Sequence, residues 1–406
     1  MNKKISVGLC LALVIIAIAA TFSITMVFSK QIYNGIISNI SQRSQSYENV
    51  EEINQIISNN FYGDLSSFNN SLSASLAEGY VNGLNDDNSY YMTASEYTEY
   101  SERMESGVKG IGIETAYDYT DDVLKITYVY EGSSAESEGL QAGDVITAVG
   151  NVTVTRANYS LIQSQFTGTM LGSVQIEYER DDVTKVVQPI SSFTIPSVTG
   201  KTVDGVGYIR ISGFYKNTAD ELKEMLSTYK SNSITSVVID LRNTSEGTIR
   251  YAAKALDMIV SSINNGSIAV LKYADNSTEP IASTSNNSSN MNFAVLINGG
   301  TKGAAELFAC DMRDIKMAQL IGTTTAGVGT MQEIFTLSDG GAILLTTALV
   351  IPYAGEDAVY DSSAGTENKG VKPTMEVTLS VDDSNILLLS ETEDTQLAAA
   401  VNMLAP

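Results

Sequence analysis

The chain reads as a mixed α/β (α+β) multidomain protein: a helical N-terminal region behind an apolar span, a β-rich domain, then a larger layered core. Three textures along its 406 residues predict this. An uncharged apolar run opens the chain. Short alternating segments punctuated by glycine occupy its second quarter. From Val198 onward strand-like and helix-like segments alternate, the pattern of a sheet covered on both faces.

The apolar run extends from Ile5 to Phe28, flanked by Lys3 and Lys4 before it and Lys30 after it. Such a stretch is long enough to cross a hydrocarbon core of roughly 30 Å as a helix. Residues 1–30 are therefore expected to form a single transmembrane anchor. The two preceding lysines place the rest outside the cytoplasm by the positive-inside bias. A cleaved signal peptide is the rival, with Ala17-Ile18-Ala19 as a cleavage-like site, but the apolar run continues past it.

Residues 31–104 are expected to be a helical stalk and helical region. Val50, Ile53, Ile56 and Ile57 recur at helical spacing, as do Leu72, Leu76, Tyr80 and Leu84, before the turn-rich Asn85-Asp86-Asp87-Asn88. Residues 105–193 carry the β-rich domain. In order come Gly110-Ile111-Gly112-Ile113, strand-like Val123 to Thr127, the turn Ala142-Gly143-Asp144-Val145-Ile146, and an alternating hairpin around Asp181-Asp182. Residues 194–406 form the layered core. Continuous apolar segments such as Val237-Val238-Ile239 predict strands buried on both faces. Asn276 to Asn290 reads as one exposed loop.

Composition excludes several chemistries. The chain has 24 Lys+Arg against 47 Asp+Glu, a net charge of −23, which repels phosphate and makes nucleic acid an unsuitable partner. With no histidine, Ser-His and Cys-His schemes are ruled out, along with the commonest zinc ligand. Serine chemistry would need a lysine base. No carboxylate cluster has metal-site spacing, so neither metal nor cofactor is expected. Cys10 and Cys310 are too differently placed to pair and read as small buried hydrophobes.

The most telling stretch is Asn298-Gly299-Gly300-Thr301-Lys302-Gly303-Ala304-Ala305-Glu306, followed by Thr325-Ala326-Gly327-Val328-Gly329-Thr330-Met331-Gln332. It resembles the paired signature of the C-terminal processing peptidases, or tail-specific proteases. The Gly110–Ile113 segment with the Ala-Gly-Asp-x-Ile turn resembles that family's PDZ domain. Gly207 to Phe214, Asp240-Leu241-Arg242-Asn243, Gly370-Val371-Lys372-Pro373 and the closing Asp394 to Ala400 are similar to its core. The resemblance covers nearly everything after about residue 48.

This resemblance implies a serine-type endopeptidase site in which a serine sits at a helix start and a lysine acts as base. It places the serine at Gly303, the lysine at Val328 and their companion glutamine at Gln332. Gly303 has no side chain and Val328 cannot carry a proton, so the expectation is a catalytically deficient member. Thr301 and Lys302 are the possible displaced pair, although adjacent residues at a helix start point apart. Glu246, standing where the family has glycine, is expected to bring a carboxylate to the oxyanion site and oppose the charge that forms there. The PDZ resemblance implies that the N–H groups of Gly110, Ile111, Gly112 and Ile113 receive a peptide carboxylate; packing on the core as a lid is the alternative. Expected partners are protein or peptide C-termini, the membrane, a partner protease or a second copy. An active protease with a displaced site, and a purely structural surface protein, are the other function classes.

Overall fold

The computed structural model describes residues 44–45, 47–168, 172–260, 266–283, 289–356, 360–361, 370–381 and 383–405. The expected anchor over residues 1–30 lies outside them. Among the described residues, no helix is long and apolar enough to cross a membrane.

The chain divides into two units, residues 1–76 and 77–406. In the first, helix α1 covers residues 47–60, and Val50, Ile53 and Ile56 form an exposed apolar stripe at the expected spacing. Helix α2, Ser66–Asn82, begins in the first unit and ends in the second.

Within the second unit, strand β1 (Tyr90–Met92) leads into helix α3 (Ala94–Ser106). A capping box starts α3: Thr93 Oγ1 accepts from Glu96 N–H, and the Glu96 carboxylate accepts from Thr93 N–H. The β-rich domain follows with β2 (Lys109–Gly110), β3 (Ile113–Asp118), β4 (Val123–Val129), the single turn α4 (Ser134–Ser137), β5 (Val145–Val149), β6 (Val152–Thr153), α5 (Tyr159–Ser164), β7 (Ile176–Arg180), β8 (Val183–Val187) and β9 (Phe193–Thr194). Its main sheet runs β3-β4-β5-β7-β8, with β6 on β5, so β3 is an edge strand. The domain has its own apolar core, in which Ile111, Leu124, Ile126, Ile146, Ile162 and Ile176 meet.

The larger core comprises β10 (Val198–Val203), β11 (Val206–Ile211), β12 (Gly213–Phe214), α6 (Thr218–Ser231), β13 (Ser236–Asp240), β14 (Glu246–Gly247), α7 (Ile249–Asp257), β15 (Ser267–Tyr273), β16 (Thr278–Ala282), β17 (Asn292–Ile297), α8 (Ala304–Lys316), β18 (Gln319–Gly322), β19 (Thr330–Thr336), β20 (Ala342–Ile351), β21 (Met375–Glu376), a 3-10 segment η1 (Asp383–Leu388) and α9 (Thr395–Leu404). Its main sheet is β10-β11-β13-β17-β18-β21, parallel from β11 onward. Val237 and Ile239 face the cluster that includes α6, α7 and α8, whereas Val238 faces Leu397, Ala400 and Val401 of α9. Both faces are covered, which explains the uninterrupted apolar run. A second sheet, β1-β20-β15-β16 with β19 on β20, packs alongside.

One expectation is corrected. The supposed loop after Asn276 contains β16, antiparallel to β15. Its alternating exposure and its edge position, which tolerates Pro280, disguised it as a polar connection.

Candidate active site

Two turns build the site. The first joins β17 to α8 and is fixed from below by side chains. Asn298 is fully buried; its Oδ1 accepts from the N–H groups of Asn243 (2.9 Å) and Gly300 (3.0 Å), and its Nδ2 donates to Asn243 Oδ1 (2.9 Å). Thr301 Oγ1 donates to Leu241 O at 2.8 Å and accepts from Asn298 N–H. Lys302 N–H donates to Thr244 O at 2.9 Å. Gly303 then caps α8 with φ 56° and ψ −109°, a conformation that side chains resist. A Cβ placed there would meet no atom within 4 Å, so the position is strained in backbone yet open in space.

The second turn, residues 325–329, hangs from the same helix. The Glu306 carboxylate accepts from Gly303 N–H (2.9 Å), Gly327 N–H (2.7 Å), Val328 N–H (2.8 Å) and the Thr325 hydroxyl. Burial raises the Glu306 carboxyl from its ordinary value even against these four donors. Gly329 N–H is taken by Asp361 Oδ2 at 2.8 Å. One carboxylate at the third position of α8 thus binds both turns together.

Between the turns lies a cleft of about 120 Å³ lined by Gly303, Val328, Gln332, Lys302, Ser245 and Thr248, among others. The structure therefore brings together Gly303, Val328 and Gln332, residues far apart in the chain. Gln332 Nε2 donates to Thr330 Oγ1 (2.9 Å) and Thr346 Oγ1 (3.3 Å), tying the amide to β19 and β20. Thr301 and Lys302 are not brought together as a pair: the Thr301 hydroxyl is buried and bonded to Leu241 O, whereas Lys302 is exposed on the cleft. Among the described residues no cluster of three or more His, Cys, Asp or Glu could hold a metal ion.

Glu246 differs from its expected role. Its Oε2 accepts from the Tyr215 hydroxyl at 2.8 Å and lies 3.4 Å from Arg103 Nε. The side chain lines a separate cavity of about 360 Å³ between the β-rich domain and the core, not the Gly303 cleft. Burial and the neighbouring Glu246 carboxylate both push the Tyr215 phenol up, so it stays a donor. Two partners distant in sequence turn the carboxylate away from the cleft.

The Gly110–Ile113 loop is also placed differently. All four residues are buried. Ile111 N–H donates to Phe166 O (3.0 Å), while Ile111 O and Gly112 O accept from Ala135 and Tyr130 N–H. At Gly112, a Cβ would come within 2.2 Å of Ser133 Cβ. In this conformation the loop is packed rather than open, so receiving a carboxylate there requires rearrangement.

Comparison with known proteins assigns this architecture. The model of peptidase family S41 matches residues 205–377, and a PDZ-domain model matches residues 125–165. The core, residues 205–377, is that of peptidase family S41. The chain is 29% identical over 352 residues to the "Probable CtpA-like serine protease" of Staphylococcus haemolyticus, covering 85% of this chain and 69% of that one. The Staphylococcus aureus protein of the same description is 27% identical over 362 residues, 88% of this chain and 71% of its own. A crystal structure of a Bacteroides fragilis protein assigned to the S41 proteases superposes with a TM-score of 0.56 at 21% identity, over 80% of this chain and 89% of that one; the likeness is one of fold.

In the sequence Glu306 stood out only as the last residue of the Asn298–Glu306 motif, and its bonding role was not apparent. An acidic residue three positions into a helix that begins at glycine was the available signal. The Asn243–Asn298 pairing had no local signal.

Proposed function

We propose that this chain, with its S41 core, is a catalytically silent homologue, held at the outer face of a membrane by residues 5–28, that captures protein or peptide C-termini or regulates a partner protease. The observation carrying this reading is the content of the cleft. Where the family resemblance places an attacking oxygen and its base stand Gly303 and Val328, neither able to form or hold a proton on a nucleophile. The nearby Thr301 hydroxyl is buried and donates to Leu241 O. Capture of C-termini is supported by the PDZ match and by the unpaired edge of β3.

The test is restoration. Detergent-solubilised full-length protein is expected to leave an unfolded tailed substrate intact, and Gly303→Ser with Val328→Lys is expected to gain cleavage, because the frame around both positions is fixed by Glu306. Cleavage by the unaltered protein, abolished by Lys302→Met, would overturn the silent reading. One observation favours that rival: Ser245 and Lys302 open into the same cleft, and Lys302 N–H bonds the carbonyl of Thr244, next to Ser245. Labelling by a serine-directed phosphonate, mapped to Ser245 by mass spectrometry, would establish it.

A further inference from the structure

The cavity of about 360 Å³ between the PDZ-like domain and the core is bounded on one side by Ile113, Glu114 and Thr115 of β3. Opposite them stand Gln163 of α5 and Phe166, so this space is the groove beside the free edge of β3. An extended peptide adding a strand to this sheet would have to lie there. The groove is already engaged from within. Gln163 Nε2 donates to Thr115 O (2.9 Å) and Thr115 Oγ1 (3.0 Å), occupying an edge carbonyl that a peptide strand would need. The core segment η1 runs alongside β3, and its Leu387 lines the groove.

This segment is moored to the site. Asn243 Nδ2 donates to Asp383 O at 2.7 Å, and the same side chain accepts from Asn298 Nδ2 at 2.9 Å. Asn298 supports the turn that ends at Gly303. A single amide therefore links the start of η1 to the floor of the cleft.

We infer that η1 is a built-in competitor: it closes the free edge of β3 with the chain's own Leu387, and a C-terminal peptide gains that edge only when η1 leaves. This rests on the C-terminal-capture reading for its ligand but not for the closure itself. The apolar content of Ile386-Leu387-Leu388-Leu389 identifies the kind of segment the edge accepts: a short aliphatic stretch. Departure of η1 also releases Asp383 O from Asn243, so occupancy of the groove is felt at the Asn298 turn.

Hydrogen exchange and peptide binding separate the two claims. Full-length protein in detergent is compared with Leu387→Gln and with the milder Leu387→Ala. The β3 amides not bonded to β4 are expected to exchange at least tenfold faster in the variants, with α8 and α9 unchanged as the fold control. A fluorescein-labelled peptide Ser-Asn-Ile-Leu-Leu-Leu with a free carboxylate, copying residues 384–389, is expected to bind the variants at least tenfold more tightly than the unaltered protein. Unchanged β3 exchange in both variants overturns the closure. Faster exchange with no peptide bound supports the closure and overturns C-terminal capture at this edge.

Discussion

At the scale of single residues, two buried carboxyls carry the sharpest consequences. Glu306 accepts four hydrogen bonds, two on each oxygen. An amide in its place must aim its own N–H groups at two donors, whichever way it is turned. Hydrogen bonds to a charged group contribute roughly 1.5–3 kcal/mol each, so Glu306→Gln is expected to destabilise the fold by about 3 kcal/mol, read from the urea unfolding midpoint. A loss below about 1 kcal/mol would show that the turns hold without it. Asp311 is the opposite case. Its Oδ1 accepts from Tyr353 N–H at 3.0 Å, but among the described residues its buried Oδ2 has no partner, and nor does the buried Tyr360 hydroxyl. Burial drives the Asp311 carboxyl well above the carboxylate range. A raised acid contributes stability below its unfolded value, and that contribution is lost as pH climbs through the folded one. Asp311→Asn is therefore expected to stabilise the protein by about 1–3 kcal/mol at pH 8, with the advantage shrinking toward pH 4. Equal gains at both pH values would remove ionisation as the cause. That Gly303, Val328 and Gln332 meet in one cleft was legible from the paired motif and its resemblance. The direction of Glu246 was not, because Tyr215 and Arg103 determine it from elsewhere in the chain.

At the scale of elements, Arg242 joins the sheet to the closing helix. Its guanidinium bonds both Asp240 oxygens at the end of β13, and reaches Asp394 and Gln396 at the start of α9. Burial would raise the Asp240 carboxyl, but the adjacent guanidinium outweighs it and the net shift is downward. Truncating one partner of such a buried network leaves the others uncompensated. Arg242→Ala is expected to cost about 3–5 kcal/mol and to speed exchange of the α9 amides first. Unfolding with no preferential loss at α9 would contradict this. Most elements here could be read from the residues: strand-like Val123 to Thr127 lies in β4, the hairpin around Asp181-Asp182 joins β7 to β8, and Val237-Val238-Ile239 lies in β13. Apolar period and burial on two faces made them legible. β16 escaped because an edge strand with alternating exposure looks like a loop when the partner strand is unknown.

At the scale of the whole molecule, the domain order followed from texture, but the relation between the PDZ-like domain and the core within the second unit did not. It depends on pairs remote in sequence. Arg210 of β11 bonds Glu114 of β3, and Glu114 also accepts from the Tyr130 hydroxyl. Arg210 stays charged because Glu114, Tyr208 and Asp240 together outweigh its burial. No local pattern announces a cross-domain ion pair. The sequence likewise gave no hint that the glycine-rich loop would be packed under Phe166 and Ser133, since an open nest and a buried one share the same residues.

The carboxylate of Glu306 has one last mechanical implication. Both lips of the cleft are riveted to a single side chain on α8, so neither can swing alone without breaking charge-assisted bonds. Any rearrangement of the pocket must pass through the helix as a joint displacement, and a guest pressing on one lip is registered by the other.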